Sequence, residues 1–117
     1  MNLNLHPDDY LIYMKALLLA REGAAHFGLR LQALEPFPKG TLETEYERGV
    51  YGRCYGTGLI HIAFRYTTAE GKWLGRLPEH EIFDTVAHEL AHLRYMNHGD
   101  GFKKFYREIK QWIDARR

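Results

Sequence analysis

The feature that most constrains this chain is the run His88-Glu89-Leu90-Ala91-His92, which has the spacing H-E-x-x-H. Residues four apart lie on the same face of an α-helix, so a helix here would direct His88 and His92 towards one point. Two imidazoles at that spacing can bind one metal ion, and Glu89 can reach a water molecule on that metal. The pattern therefore predicts a helix that carries a catalytic Zn²⁺ site, with Glu89 as the general base.

A catalytic zinc site needs a third protein ligand, and His98 is the first candidate. On a straight helix His98 would lie on another face than the motif histidines, so the helix is expected to end between Tyr95 and Asn97 and the chain to turn back. Asn97 tolerates a left-handed conformation and Gly99 favours flexible geometry, so either residue could break the helix. Glu108, on the next predicted helix, is the competing third ligand.

The H-E-x-x-H pattern can also arise by chance on a surface helix. Here an apolar run precedes the motif and apolar residues lie inside it, which favours a buried and functional helix; the preceding apolar residues are Ile82, Phe83, Val86 and Ala87. Binding of zinc needs only the histidines, whereas hydrolysis also needs Glu89. A zinc-stabilised, non-catalytic module that binds nucleic acid or protein is therefore the alternative to an enzyme.

Length and composition are those of a single globular domain, residues 1–117, of which 45% are hydrophobic and 26% charged. A formal net charge of +1 argues against strong non-specific attraction to nucleic acid. The single cysteine, Cys54, excludes an intrachain disulfide and is expected to be a small buried residue rather than a nucleophile. The sequence has neither the start of a signal peptide nor an apolar stretch that could cross a membrane, which predicts a cytoplasmic protein without a membrane partner.

Three helices are expected from apolar spacing and from end signals. The first begins at Pro7-Asp8-Asp9 and ends at Gly28. The second carries the H-E-x-x-H motif and covers about residues 79–96. The third begins near Asp100 and has an apolar stripe formed by Phe102, Phe105, Ile109, Trp112 and Ile113.

Alternating apolar and polar residues predict strands at residues 29–34 and 59–66, with a weaker signal at 41–48. A loop or hairpin is expected at residues 67–75. The predicted fold is α+β: an N-terminal helix, a small antiparallel sheet of three to four strands, the zinc-motif helix and a C-terminal helix. The strand at 59–66 is expected at the sheet edge beside the zinc, where a peptide substrate could pair with it as an added strand.

Two further features bear on function. The mechanism calls for a second group that stabilises the oxyanion opposite Glu89, and the candidates are Tyr95, His61 and Arg65. Residues 101–117 contain six Lys or Arg against two acidic residues. That basic segment is interpreted first as a solvated helix face, and alternatively as a weak contact to DNA phosphates.

The run from Thr85 to Phe102 resembles the SprT-like and YgjP-like group of minimal zincin metallopeptidases. The resemblance rests on H-E-L-A-H-L and on an H-G-x-x-F segment that begins at His98. More loosely, Gly52-Arg53-Cys54 and the strand that follows resemble the G-x-C turn and strand of that group. The resemblance implies an α+β domain and a polypeptide substrate, with one Zn²⁺ per chain. It also implies the site residues, which are Glu89 as the base and His88, His92 and His98 as the zinc ligands.

The chain departs from that group in some features. Many SprT-like proteins carry a C-terminal zinc ribbon of four cysteines, whereas Cys54 is the only cysteine here. The histidine spacing also matches the metzincins, but Tyr95 stands where they have glycine, and no methionine follows Met96 to form their Met-turn. Some relatives cleave proteins crosslinked to DNA, which by analogy extends the expected substrates to DNA-associated proteins.

Overall fold

The computed structural model describes residues 3–39, 51–68 and 70–117. A single 3-10 turn, Pro7–Asp9, leads into the first helix. The helices and strands follow in the order α1 (Tyr10–Phe27), β1 (Ala33–Pro36), β2 (Gly52–Cys54), β3 (Leu59–Ile62), β4 (Arg65–Thr67), β5 (Trp73–Arg76), α2 (Glu79–His92) and α3 (Asp100–Asp114). The predicted α+β class and the order of its three helices are confirmed. The weak strand signal at 41–48 lies outside the described residues.

The first helix ends where the sequence predicts. Gly28 has φ 68°, in the left-handed region that glycine adopts without steric cost, and its backbone N–H faces the carbonyls at the end of α1. The next residue, Leu29, donates its N–H to the Ala24 carbonyl at 2.8 Å. Leu29 thus still belongs to the helix end, and the predicted strand at 29–34 begins only at Ala33.

The strands form two small sheets instead of the single antiparallel sheet that was expected. In the three-stranded sheet β3 is central, with β1 parallel to it and β2 antiparallel. The second sheet is the antiparallel hairpin of β4 and β5. The predicted strand at 59–66 is divided between them: β3 ends at Ile62, β4 begins at Arg65, and the buried residues Ala63 and Phe64 join the two.

The core lies between the three-stranded sheet and the helices. Helix α2 packs against α1, α3, β2 and β3. Its buried face is the predicted one, with Ile82, Val86 and Leu90 fully buried. The apolar stripe of α3 is buried too, with Trp112 half-buried at its edge. Among the described residues, no helix is both long and apolar enough to span a membrane.

A buried carboxylate attaches the β4–β5 hairpin to the start of α1. Asp9 is fully buried, and Arg65 donates two hydrogen bonds to it, from Nε at 2.9 Å and from Nη2 at 2.8 Å. Arg76 donates a third from Nε at 2.9 Å. Burial alone would raise the pKa of Asp9, but the two guanidinium groups more than offset it, so the pKa lies below its usual value. The hairpin therefore depends on the ionised form of Asp9.

Candidate metal centre

The motif helix ends at His92, earlier than the predicted break between Tyr95 and Asn97. The Ala91 carbonyl accepts hydrogen bonds from the N–H groups of Arg94, at 3.1 Å, and Tyr95, at 3.0 Å. One carbonyl thus accepts both an i+3 and an i+4 bond, so the last helical turn tightens directly after the motif, before the chain reverses towards α3.

The predicted reason for the helix break was also wrong. Among the described residues, positive φ occurs only at Gly28, Gly58 and Gly71, so neither Asn97 nor Gly99 is left-handed. The Asn97 side chain instead accepts a hydrogen bond from the Gly99 N–H at 3.1 Å. A side-chain turn of this kind shapes the segment before α3 without a special backbone conformation.

This reversal brings the three predicted histidines together. One ring nitrogen from each of His88, His92 and His98 lies within 4.8 Å of the other two, and the Nε2 atoms of His92 and His98 are 3.1 Å apart. Nitrogens bound tetrahedrally to one zinc at about 2.0–2.1 Å would be separated by about 3.3 Å. The donor set therefore fits a three-histidine metal site. Glu108, the competing ligand, is exposed and is not part of this group.

Hydrogen bonds orient two of the three rings. His92 Nδ1 lies 2.9 Å from the Tyr95 carbonyl, which can only accept, so His92 carries its proton on Nδ1 and leaves Nε2 as the ligand atom. His88 Nδ1 lies 2.9 Å from Oε2 of Glu89, an arrangement that leaves the Nε2 of His88 to face the group. Burial lowers the pKa of His92, which favours the neutral, metal-binding form.

The Phe102 ring packs against all three rings of the histidine cluster. Its ring centre lies 4.5 Å from that of His92, 5.0 Å from that of His88 and 4.9 Å from that of His98. The sequence placed Phe102 in the core stripe of α3 but did not predict that it contacts all three rings. The signal that could have shown this is the H-G-x-x-F spacing, which puts Phe102 one helical turn after His98.

Glu89 is buried at the foot of an open cavity of about 560 Å³, with 4% of its surface exposed. The three histidines line the same cavity. Strand β2 and Tyr51 form one wall, while Asp84, Thr85, Met96 and Tyr106 complete the lining. The carboxylate and the metal-binding nitrogens therefore face one shared space that a ligand can enter.

Cys54 also lines this cavity and is half-buried. Burial, with a smaller contribution from the negative charge of Glu89, raises the pKa of the Cys54 thiol to about 11. The thiol is therefore protonated near neutral pH. That state agrees with the prediction that Cys54 is not a nucleophile.

None of the three expected oxyanion-stabilising residues lines the cavity. Arg65 is bound to Asp9 and to the Leu74 carbonyl. His61 lies buried beside the rings of Phe37 and Tyr55, and the Tyr95 ring packs on Phe105 instead. The three candidates therefore lie outside the cavity that Glu89 and the histidines share, and each side chain makes its contacts elsewhere.

Tyr106 is a cavity-lining residue that the sequence reasoning missed. Its ring is stacked on Phe102 and its centre lies 5.7 Å from that of His88. Burial and the nearby charge of Asp84 raise the pKa of Tyr106, so its hydroxyl keeps its proton at neutral pH. The only sequence signal for it is a spacing of four residues from Phe102, which places both rings on one face of α3.

The fold and these side chains define an α+β domain with a candidate three-histidine metal centre beside a buried carboxylate. Comparisons of the chain with protein-family models, with curated proteins and with solved structures found no match. The SprT-like and YgjP-like resemblance therefore stays a prediction that rests on the motif residues.

Proposed function

We propose that this protein is a zinc-dependent metallopeptidase of the SprT-like and YgjP-like kind, which hydrolyses peptide bonds. The observation that supports it best is the convergence of His88, His92 and His98 at a cavity whose wall includes Glu89. Three neutral imidazoles suit Zn²⁺ and leave one coordination position open, which distinguishes catalytic zinc sites from closed structural ones.

In this proposal the three histidines hold the metal and Glu89 moves the proton. A zinc ion bound there would act as a Lewis acid that polarises the peptide carbonyl and lowers the pKa of water. Glu89 Oε2 is occupied by His88, whereas Oε1 makes no hydrogen bond to the described residues. Oε1 can therefore take a proton from a water molecule in the cavity as that water attacks the carbonyl carbon. Glu89 then returns the proton to the amine that leaves when the C–N bond breaks.

The substrate in this proposal is an extended polypeptide that runs along β2. The strand expected at the sheet edge, residues 59–66, is not there, because β3 is central. Within the described part of the sheet the edge strands are β1 and β2, and of these two it is β2 that lies in the cavity wall. An extended peptide is suited to lie beside such a strand. A cytoplasmic location accompanies the proposal, since a lone cysteine suits a reducing compartment.

One observation favours the alternative, a zinc-stabilised binding module without catalysis. The bond from Glu89 to His88 gives Glu89 a structural use, because carboxylates commonly orient metal-binding histidines. The presence of Glu89 in the motif is therefore not by itself a sign of catalysis. The open cavity favours the enzyme, because structural zinc sites are normally filled by protein ligands.

Contact with DNA is a weaker part of the proposal, which would extend the substrates to DNA-associated proteins. Lys103, Lys104 and Arg107 are exposed on α3. The fourth cation of that helix, Lys110, is instead paired with Asp84 at 3.3 Å. Three exposed cations on one helix can add a weak, salt-sensitive attraction to phosphates.

The proposal is tested by coupling metal content to cleavage. Protein stripped of metal should not degrade an unfolded polypeptide, and degradation should return in proportion to added Zn²⁺ until one ion is bound per chain. His98→Ala is the matched variant that should fail to recover. Degradation that proceeds equally in the stripped protein would contradict the proposal.

A further inference from the structure

Strand β2 passes Glu89 at a distance that admits only a glycine. A Cβ atom built on Gly52 would lie 2.9 Å from Cγ and 2.9 Å from Oε2 of Glu89, and 2.5 Å from Cγ2 of Thr85. Real Cβ atoms essentially never approach other atoms this closely. Gly52 therefore presents bare backbone to the carboxylate that the proposed mechanism uses.

The need for glycine at this position is one of space and not of backbone conformation. Gly52 is not among the residues with positive φ, so its backbone is one that any residue adopts. Gly56, two residues after β2, also has ordinary φ but meets no atom within 4 Å. The two glycines therefore differ in what surrounds them, which makes Gly56 a matched control.

Neither the backbone of strand β2 nor that of helix α2 can easily move to make room for a side chain at position 52. Strand β2 is held by its antiparallel pairing to β3, in which Gly52 lies opposite Ile62. Ile62 is fully buried. Glu89 extends from the middle of α2 and is itself buried, so a side chain at position 52 would displace the carboxylate before it displaced either backbone. Displacement would take Oε2 away from His88 Nδ1.

We infer that Gly52 is a positioning residue, which holds the Glu89 carboxylate between β2 and His88 by leaving space for it and for nothing else. The inference rests on the proposed function for its catalytic consequence. The effect of Gly52 on the metal site does not depend on the proposed function, because the bond from Glu89 to His88 orients a metal ligand whatever reaction follows. Gly52 would thus set both the place of the base and the direction of the His88 ring.

The experiment distinguishes the effect of the contact between a Cβ at position 52 and Glu89 from the effect of its contact with Thr85. Four variants are compared with wild type: Gly52→Ala, Thr85→Ser, the double variant, and Gly56→Ala. Thr85→Ser removes Cγ2, the atom nearest to the added Cβ, and keeps the hydroxyl that donates to the Glu81 carbonyl at 2.8 Å. The measurements are the melting temperature, the zinc affinity by competition with a chelator, and kcat and KM on an unfolded polypeptide.

Gly52→Ala should lower the melting temperature, and the double variant should recover most of that loss, since the closest contact is gone. Relative to Thr85→Ser, the double variant should still bind zinc about tenfold more weakly, because Glu89 no longer orients His88. Its kcat should be lower by at least about tenfold with KM within about twofold, because loss of a placed base affects the chemical step. Gly56→Ala should match wild type in all measurements.

The inference would be overturned if the double variant recovered its zinc affinity and kcat along with its melting temperature. Gly52 would then be needed for the fold alone. Wild-type zinc affinity in Gly52→Ala would overturn the inference as well. If wild type holds zinc but cleaves nothing, the peptidase proposal fails. A weaker zinc affinity in the double variant than in Thr85→Ser would in that case still support the positioning role.

Discussion

The Nε2 atoms of His92 and His98 lie 3.1 Å apart, although the two residues are six positions apart in the chain. The backbone contributes to this approach: hydrogen bonds to the Ala91 carbonyl fix the chain as far as Tyr95, and the Tyr95 carbonyl lies 2.9 Å from His92 Nδ1. His92 is thus oriented by the segment that leads to His98. The fold itself places two of the proposed metal ligands side by side.

The first prediction concerns the choice of the third ligand. His98→Ala should reduce zinc affinity by at least about a hundredfold, because the variant keeps only two of the three nitrogen ligands. Glu108→Ala is the control and should bind one zinc per chain as wild type does, because Glu108 lies outside the histidine group. Zinc content and competition with a chelator are measured for both variants. If only Glu108→Ala lost zinc, the third ligand would be Glu108 and not His98.

The second prediction concerns the link between metal and stability. Zinc would join α2 to the segment that carries His98, and a ligand that binds only the folded state stabilises it, by about 2.7 kcal/mol at a hundredfold excess over its Kd. Removal of zinc should therefore lower the melting temperature by at least about 5 °C. Amide exchange should rise first between Tyr95 and Gly101. An unchanged melting curve after confirmed metal loss would mean that packing alone holds the turn.

The third prediction concerns Asp9. Because the folded state lowers its pKa, Asp9 contributes stability that is present above the pKa of the unfolded chain, near 4, and is lost as the pH falls through the lower folded value. Asp9→Asn should therefore cost about 3 kcal/mol at pH 7, since it leaves Arg65 and Arg76 without their partner. The difference from wild type should shrink in acid.

Denaturant unfolding between pH 7 and pH 3 measures that difference. Asp8→Asn is the matched control, because the Asp8 side chain is mostly exposed and only its backbone carbonyl binds Arg76. Equal destabilisation by the two variants at pH 7 would show that the buried ion pairs do not hold the hairpin.

The sequence predicted the elements that have a strong local signal. The H-E-x-x-H spacing predicted the motif helix, and the further spacing to His98 correctly required a chain reversal. The conformation that follows His92 was not predictable from residue type, because the two hydrogen bonds to the Ala91 carbonyl involve backbone groups that every residue has. Asn97 and Gly99 are residue types that often end helices, but neither adopts a left-handed conformation here.

Other failures arose from contacts between residues far apart in the chain. Arg65 is a plausible oxyanion donor until Asp9, 56 residues earlier, is seen to bind it. Alternation of apolar residues continued through Ala63 and Phe64, so the pattern could not show that the chain leaves one sheet there for another. The role of Gly52 depends on a carboxylate in a different element. Such facts follow from packing, which single-sequence patterns do not encode.

The fourth prediction concerns the basic face of α3. Changing Lys103, Lys104 and Arg107 together to Glu should abolish binding to DNA, and wild-type binding should weaken steeply as salt rises. Lys72→Glu on the β4–β5 hairpin has the same charge change as Lys103→Glu alone; Lys72→Glu should bind as wild type does, and Lys103→Glu should bind more weakly. Fluorescence anisotropy with single- and double-stranded DNA measures this. Salt-independent binding, or none near physiological ionic strength, would exclude the phosphate contact.

The central claim is tested most directly by Glu89→Gln, compared with wild type for cleavage of an unfolded polypeptide at full zinc occupancy. Glutamine keeps the size of the side chain and can still accept a hydrogen bond from His88, but it cannot take a proton. The account predicts that Glu89→Gln folds, binds one zinc per chain and cleaves at least 10²–10⁴-fold more slowly. Equal cleavage by the two proteins, with zinc bound in both, would contradict the proposed role of Glu89 as the general base.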